Sequence, residues 1–127
     1  MVGKALRKGF HTVTPYLVVG DINREVEFLK QAFDAEETER AQGGGGGWHV
    51  EVRIGDSMIM MGQGPAGTPT TSAQIFLYVE DPDALYRRAL KAGATSKSEP
   101  RDESYGRSGG VTDPCGQVWW LCRHAEQ

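Results

Sequence analysis

The sequence predicts an α+β fold. Two tandem βαβββ modules form a curved mixed sheet, with helices on the outer face and a cleft inside. Three observations lead there. The length, 127 residues, is that of one domain, and it is long enough to bury a core without metal or disulfide staples. Alternating apolar–polar segments are interspersed with two segments of helical period. Most tellingly, the chain repeats itself at an offset of 74 − 14 = 60 residues. TPYLVVGD at 14–21 aligns with QIFLYVED at 74–81, Gln31-Ala32 with Lys91-Ala92, and SMIMM at 57–61 with QVWWL at 117–121, all in one register without gaps.

Each element has a local cause. Residues 12–19 are β-branched and aromatic and read as a strand. Gly20 and Asp21 break it, and Asp21 can cap a helix over 22–33, where Ile22, Val26, Leu29 and Phe33 recur at helical spacing. Residues 36–41 are polar and at most an edge strand. Gly43 to Gly47 reads as a long hairpin turn. A phosphate loop would need a helix after it, and a strand follows instead. Over 48–54 the alternation is strict: Val50, Val52 and Ile54 on one side, His49, Glu51 and Arg53 on the other. A turn at Gly55-Asp56 leads to a strand at 57–61.

Residues 63–72 form a Gly/Pro/Thr/Ser-rich linker between module one (12–62) and module two (73–123), and residues 1–11 a flexible start. In module two, 74–79 is a strand. Asp81 caps a helix with Pro82 at its first position and Gly93 past its end. Residues 95–99 are a short polar candidate strand, and 104–112 are Gly-rich and poorly periodic. Asp113 to Gly116 is a turn, and Gln117 to Cys122 a strong last strand.

Composition narrows the function. Fourteen basic against 17 acidic residues give a formal charge of −3, which argues against nucleic-acid binding. No apolar run approaches the roughly 20 residues a membrane span needs, and the N-terminus has no apolar signal core. Cys115 and Cys122 match neither a zinc site nor a disulfide framework, so a cytoplasmic location is expected. No base partner marks either thiol as a nucleophile.

PYLVVGD…FLKQAFDAE, HVEVRIGDSMIMM, FLYVEDPDAL and YGRSGGVTDPCGQVWWL together resemble the vicinal-oxygen-chelate superfamily, the glyoxalase, bleomycin-resistance and extradiol-dioxygenase group. The resemblance covers roughly residues 12–123 and specifies fold more than activity. It implies a metal site with one ligand on the first and one on the last strand of each module. Carried onto this chain, those positions are Thr14, Met60, Gln74 and Trp120. Metal-dependent relatives carry His, Gln or Glu there. A hydroxyl, a thioether, an amide and an indole do not make a divalent-metal site, and only Gln74 is a tolerable ligand.

The expectation is therefore a metal-free small-molecule-binding protein. It would hold an antibiotic or other planar ligand in an aromatic cleft, as a homodimer without cofactor. The expected lining is Thr14, Tyr16, His49, Arg53, Met60, Gln74, Phe76, Tyr78 and Trp120, with Trp119 in the core. Packing of these aromatics in a core or interface is the competing reading. So is a solvated face for His49, Glu51 and Arg53 held by a Glu–Arg pair. Two alternatives remain. One is a metal-dependent lyase, isomerase or dioxygenase using His49 and Glu51 as base or ligand, the only setting in which a divalent metal is expected. The other is a structural or regulatory dimer with a vestigial cleft. Arg107, in the segment feeding the last strand, is a candidate contact for an anionic ligand group, against a surface role.

Overall fold

The computed structural model describes residues 5–42, 47–64, 70 and 72–125. Gly43 to Gly46 and most of the linker therefore lie outside the described residues. Two four-stranded mixed sheets are present, built in the same way. In module one, β1 (Tyr16–Val18), α1 (Ile22–Phe33), β2 (Glu36–Gln42), β3 (Trp48–Ile54) and β4 (Ser57–Gly62) give the order β1-β4-β3-β2. In module two, β5 (Gln74–Tyr78), α2 (Pro82–Lys91), β6 (Thr95–Glu103), β7 (Gly106–Thr112) and β8 (Val118–His124) give β5-β8-β7-β6. In each sheet the first strand runs parallel to the last, with Tyr16 opposite Met60 and Phe76 opposite Trp120. The offset of 60 is thus a structural repeat.

The capping residues act as expected. Asp21 accepts from Arg24 N and Asp81 from Ala84 N, both at 3.1 Å. Three segments differ. β1 is only three residues long, because Pro15 ahead of it has no N–H for a ladder. The polar stretch after Gly93 is a nine-residue strand, and Gly106–Thr112, which lacks apolar period, is a strand buried over most of its length. Pairing with β8 decides that strand, not side-chain pattern.

Alternation sorts the faces as expected. Leu17, Val19, Val50, Val52, Ile59 and Met61 are buried against α1, and Trp119 and Leu121 lie on the covered face of module two. All belong to one continuous core that runs through both modules. The two helices pack against each other, and Phe33 of α1 meets the Trp119 ring at 5.4 Å. Arg24 donates to Ala92 O at 2.9 Å, and Arg88 forks onto Asp34 at 2.7 and 3.1 Å. The covered faces of both sheets therefore look into the shared core. Each sheet's other face carries exposed rings, Tyr16 on one and Phe76 and Tyr78 on the other.

The seam carries an unusual charge arrangement. Asp113 accepts from Cys115 N at 2.8 Å, Gln117 N at 3.0 Å and Trp119 Nε1 at 2.7 Å. Beside it, Glu25 of α1 is fully buried, and neither of its oxygens has a hydrogen-bond partner among the described residues. Burial foremost, and then Asp113, pushes the Glu25 carboxyl up to about 10. Burial beside the Asp113 carboxylate thus favours the neutral acid. The same burial, with nearby carboxylates, pushes the Cys115 thiol up to about 12, so it is not a nucleophile.

A group whose proton is held more tightly when folded stabilises the fold fully below its unfolded value. That contribution is lost as pH rises toward the folded one. Between about 4.5 and about 10, stability should fall with rising pH, by at most about 1.4 kcal/mol per unit. Glu25→Gln fills the same buried place without an ionisable proton. Urea melts from pH 5 to 9 are expected to show a flatter profile for Glu25→Gln, with the variant more stable than the parent at pH 9.

Candidate functional site

The residues expected around a ligand fall into two groups, one on each open face. On the face of module one, Tyr16 is 53% exposed and approaches His49 Nδ1 through its hydroxyl at 3.4 Å, the rings 5.7 Å apart. His49 Nε2 lies 3.0 Å from Glu51 Oε2. Glu51 is only 2% exposed and takes a 2.8 Å ion pair from Arg7 Nη1, while Arg7 Nη2 reaches Glu39 at 3.1 Å. Arg7 is thus engaged, although the sequence placed it in a flexible start. It also lies over the Phe10 ring at 4.4 Å. The hydrogen bond from Arg7, helped by that from His49, holds the Glu51 carboxyl down to about 2.

The expected pair between Glu51 and a neighbouring Arg on its own strand is not formed. Arg53 is exposed and pairs with Glu36 instead. Two residues apart on one strand, Glu51 and Arg53 point the same way, but β2 offers Arg53 a carboxylate directly across. The open hollow on this face, about 370 Å³, is bordered by Arg7, Thr38, Glu39, Glu51 and Arg53.

The face of module two is aromatic. Phe76 and Tyr78 are 46% and 73% exposed and meet edge to face at 5.2 Å. The exposed His124 lies 6.2 Å from Tyr78. Trp120, half-buried, donates its indole N–H to Gln74 Oε1 at 2.9 Å. Gly110, opposite Trp120, makes the room: a Cβ there would lie 2.6 Å from the ring. Gly62 does the same for Tyr16 on the other face, where a Cβ would lie 2.3 Å from the hydroxyl. These two glycines are site features that pattern reading passed over. The signal was a glycine opposite an aromatic once the ladders are known.

Of the four positions where a metal is implied, Thr14 donates to His11 O at 3.3 Å, Met60 lies beside β1, and Gln74 and Trp120 bond each other. Thioether and indole supply no hard donor, and the one serviceable oxygen, Gln74 Oε1, is taken by Trp120. These residues do not fit a divalent ion. Among the described residues, no group of three or more His, Cys, Asp or Glu could hold a metal.

Arg107 is locked bidentately onto Asp83 at 2.9 and 3.0 Å, where it ties α2 to β7, so it does not await a ligand anion. Trp48 is half-covered, with Arg40 over its ring at 5.5 Å. A groove of about 790 Å³ runs between the modules, lined by Thr14, Phe33 and Ile59 from one and by Phe76, Leu77 and Tyr78 from the other.

A model of the Glyoxalase/Bleomycin resistance protein/Dioxygenase superfamily matches residues 9–121. An uncharacterized protein of Mycobacterium bovis is 38% identical over 122 residues, covering 86% of this chain and 80% of its own. Among solved structures, TioX from Micromonospora sp. ML1 superposes with a TM-score of 0.74 at 25% identity, covering 89% of this chain and 98% of TioX. The fosfomycin resistance protein FosX of Listeria monocytogenes gives 0.70 at 22% identity, over 94% of this chain and 96% of FosX. Glyoxalase I from Zea mays gives 0.73 at 14%, over 90% of this chain and 44% of that enzyme. The last two likenesses speak to the fold. No helix among the described residues is long and apolar enough to cross a membrane.

The Arg7–Glu51 pair makes a checkable prediction. A carboxyl held below its unfolded value of 4.5, here at about 2, stabilises the fold above the unfolded value. That contribution is lost as pH falls through the folded one. Arg7→Ala is expected to lower the thermal midpoint at pH 7, and the deficit should shrink between pH 4.5 and 2. Arg53→Ala, which breaks an exposed pair, should change stability by less than about 0.5 kcal/mol at any pH.

Proposed function

The chain belongs to the Glyoxalase/Bleomycin resistance protein/Dioxygenase superfamily, and from that premise we propose that it captures a planar small molecule without a metal. The observation that carries the reading is the Gln74–Trp120 hydrogen bond at 2.9 Å. At positions where the family resemblance implies ligands, an amide and an indole are satisfied by each other. What remains for a guest is a flat, half-buried aromatic surface. Trp120, Phe76 and Tyr78 offer stacking and apolar burial, and Met60 a soft, adaptable contact on the other face. Gln74 and Thr14 supply orienting polar atoms. An antibiotic with a planar ring system is one ligand class that such a surface would sequester.

The homodimer belongs to the same proposal. In one chain β1 and β5 are each paired on one side only. A second copy would set the polar face of module one against the aromatic face of module two as the two walls of one cleft. Covering Tyr16, Phe76 and Tyr78 would also remove exposed aromatic surface from water.

Calorimetric titration with a panel of planar antibiotics tests the reading. Trp120→Ala is expected to weaken capture about 10–100-fold, the loss of one stacking contact and its buried area. Unchanged affinity would place the ligand elsewhere. Light scattering should give twice the 13.9 kDa chain mass. Stoichiometric Ni, Zn, Mn or Fe in untagged protein, lost on His49→Ala, would overturn the metal-free reading.

A further inference from the structure

We propose that Tyr16, His49 and Glu51 form a proton relay that takes the acidic proton of a bound phenol or enol, so that the ligand is held as its anion. This rests on the aromatic-capture reading and names the ligand class: planar molecules carrying an ionisable hydroxyl. The three side chains come from β1 and β3 and meet on the open face of module one. The links are 3.4 Å from the Tyr16 hydroxyl to His49 Nδ1 and 3.0 Å from His49 Nε2 to Glu51.

The chemistry of the partners sets the direction. Glu51 is ionised and can only accept, so the hydrogen of neutral His49 sits on Nε2. Nδ1 then presents a lone pair to the Tyr16 hydroxyl. Arg7 fixes the far end. By pairing with Glu51 at 2.8 Å, it keeps that carboxylate a poor base, so a proton entering the relay stops on the imidazole. Among the described residues, the charged and titratable groups linked to His49 are Tyr16 from β1, Glu51 from β3, Arg7 from the N-terminal segment and, through Arg7, Glu39 from β2. Opposite His49, β4 contributes only Gly62, whose missing side chain leaves room for the Tyr16 hydroxyl.

The transfer balances. The ligand O–H gives its proton to the Tyr16 oxygen, and the Tyr16 proton passes to Nδ1. The products are a ligand oxyanion, an unchanged phenol and an imidazolium backed by the Glu51 carboxylate. No bond to carbon changes and no oxidant or reductant is needed. The 3.4 Å link is long for a hydrogen bond in the free protein. Such links shorten when a ligand closes over them. Tyr16 is half-exposed and is the member a ligand touches; His49 and Glu51 act behind it.

Para-nitrophenol is a suitable probe, because its phenolate absorbs in the visible and its phenol does not. Mixed with excess protein slightly below the pH at which the free probe ionises, it is expected to bind with growth of the phenolate band. His49→Gln should lose the band and bind the probe about tenfold or more weakly, the worth of one charge-assisted hydrogen bond. Tyr16→Phe should retain binding by ring contact and lose the band. Probe bound as the neutral phenol would overturn the relay while leaving aromatic capture standing. A band that persists in His49→Gln, or no binding at all, would overturn it as well. A probe-free arm uses nitrogen-15 histidine spectra of the intact protein. Neutral His49 is expected as the Nε2–H tautomer, with that preference relaxed in Glu51→Gln, and an Nδ1–H tautomer would overturn the proposal.

Discussion

Asp113 is the residue on which the relation between the two modules turns. Its carboxylate takes two backbone N–H groups of its own turn and the indole N–H of Trp119. It also faces the buried carboxyl of Glu25 across the seam. Two carboxylates facing each other in a buried site do not both stay charged, and burial together with Asp113 keeps the proton on Glu25. Trp119, oriented by that carboxylate, meets Phe33 of α1. The covered faces of both sheets thereby share one core. Where a ligand can sit follows from this seam.

The two open faces come from the same repeat and have diverged in chemistry. Tyr16 and Phe76 occupy equivalent places, as do Met60 and Trp120. Module one nevertheless carries a buried carboxylate, an imidazole and a phenol in series, whereas module two carries four rings and an amide. A buried carboxylate is tolerated only with partners, and Arg7 and His49 provide them. The aromatic wall has no such demand, since Trp120 spends its single N–H on Gln74. In the cleft proposed between copies, one wall would handle a proton and the other the ring that carries it.

Much of the fold was legible because apolar alternation, caps and the offset of 60 are local signals. Leu17, Val50 and Trp119 fall on the covered side as alternation requires. β7 was not legible: RSGGV has no period, and only its ladder to β8 makes it a strand. Site chemistry was legible in part. His49 and Glu51 stand out as a same-face pair, but the sequence offers Glu51 an Arg two residues on, and the true partner, Arg7, is 44 residues away. Ion pairs of that separation depend on where a terminal segment lies, which pattern does not encode. The same holds for Arg107, whose forked bond to Asp83 removes it from the ligand surface.

The glycines join the two levels. In β7 the absence of a side chain at Gly110 costs strand propensity, and that cost obscured the strand in the sequence. The same absence lets the Trp120 ring lie against the sheet, where Gln74 holds its edge. A ring that is already seated loses little rotamer freedom when a ligand stacks on it, so more of the contact energy appears as affinity. Gly62 seats Tyr16 in the same manner next to His49. Poor strand formers at these two points are therefore consistent with a surface shaped to receive a ring, and they are hard to account for in a face that serves only as core.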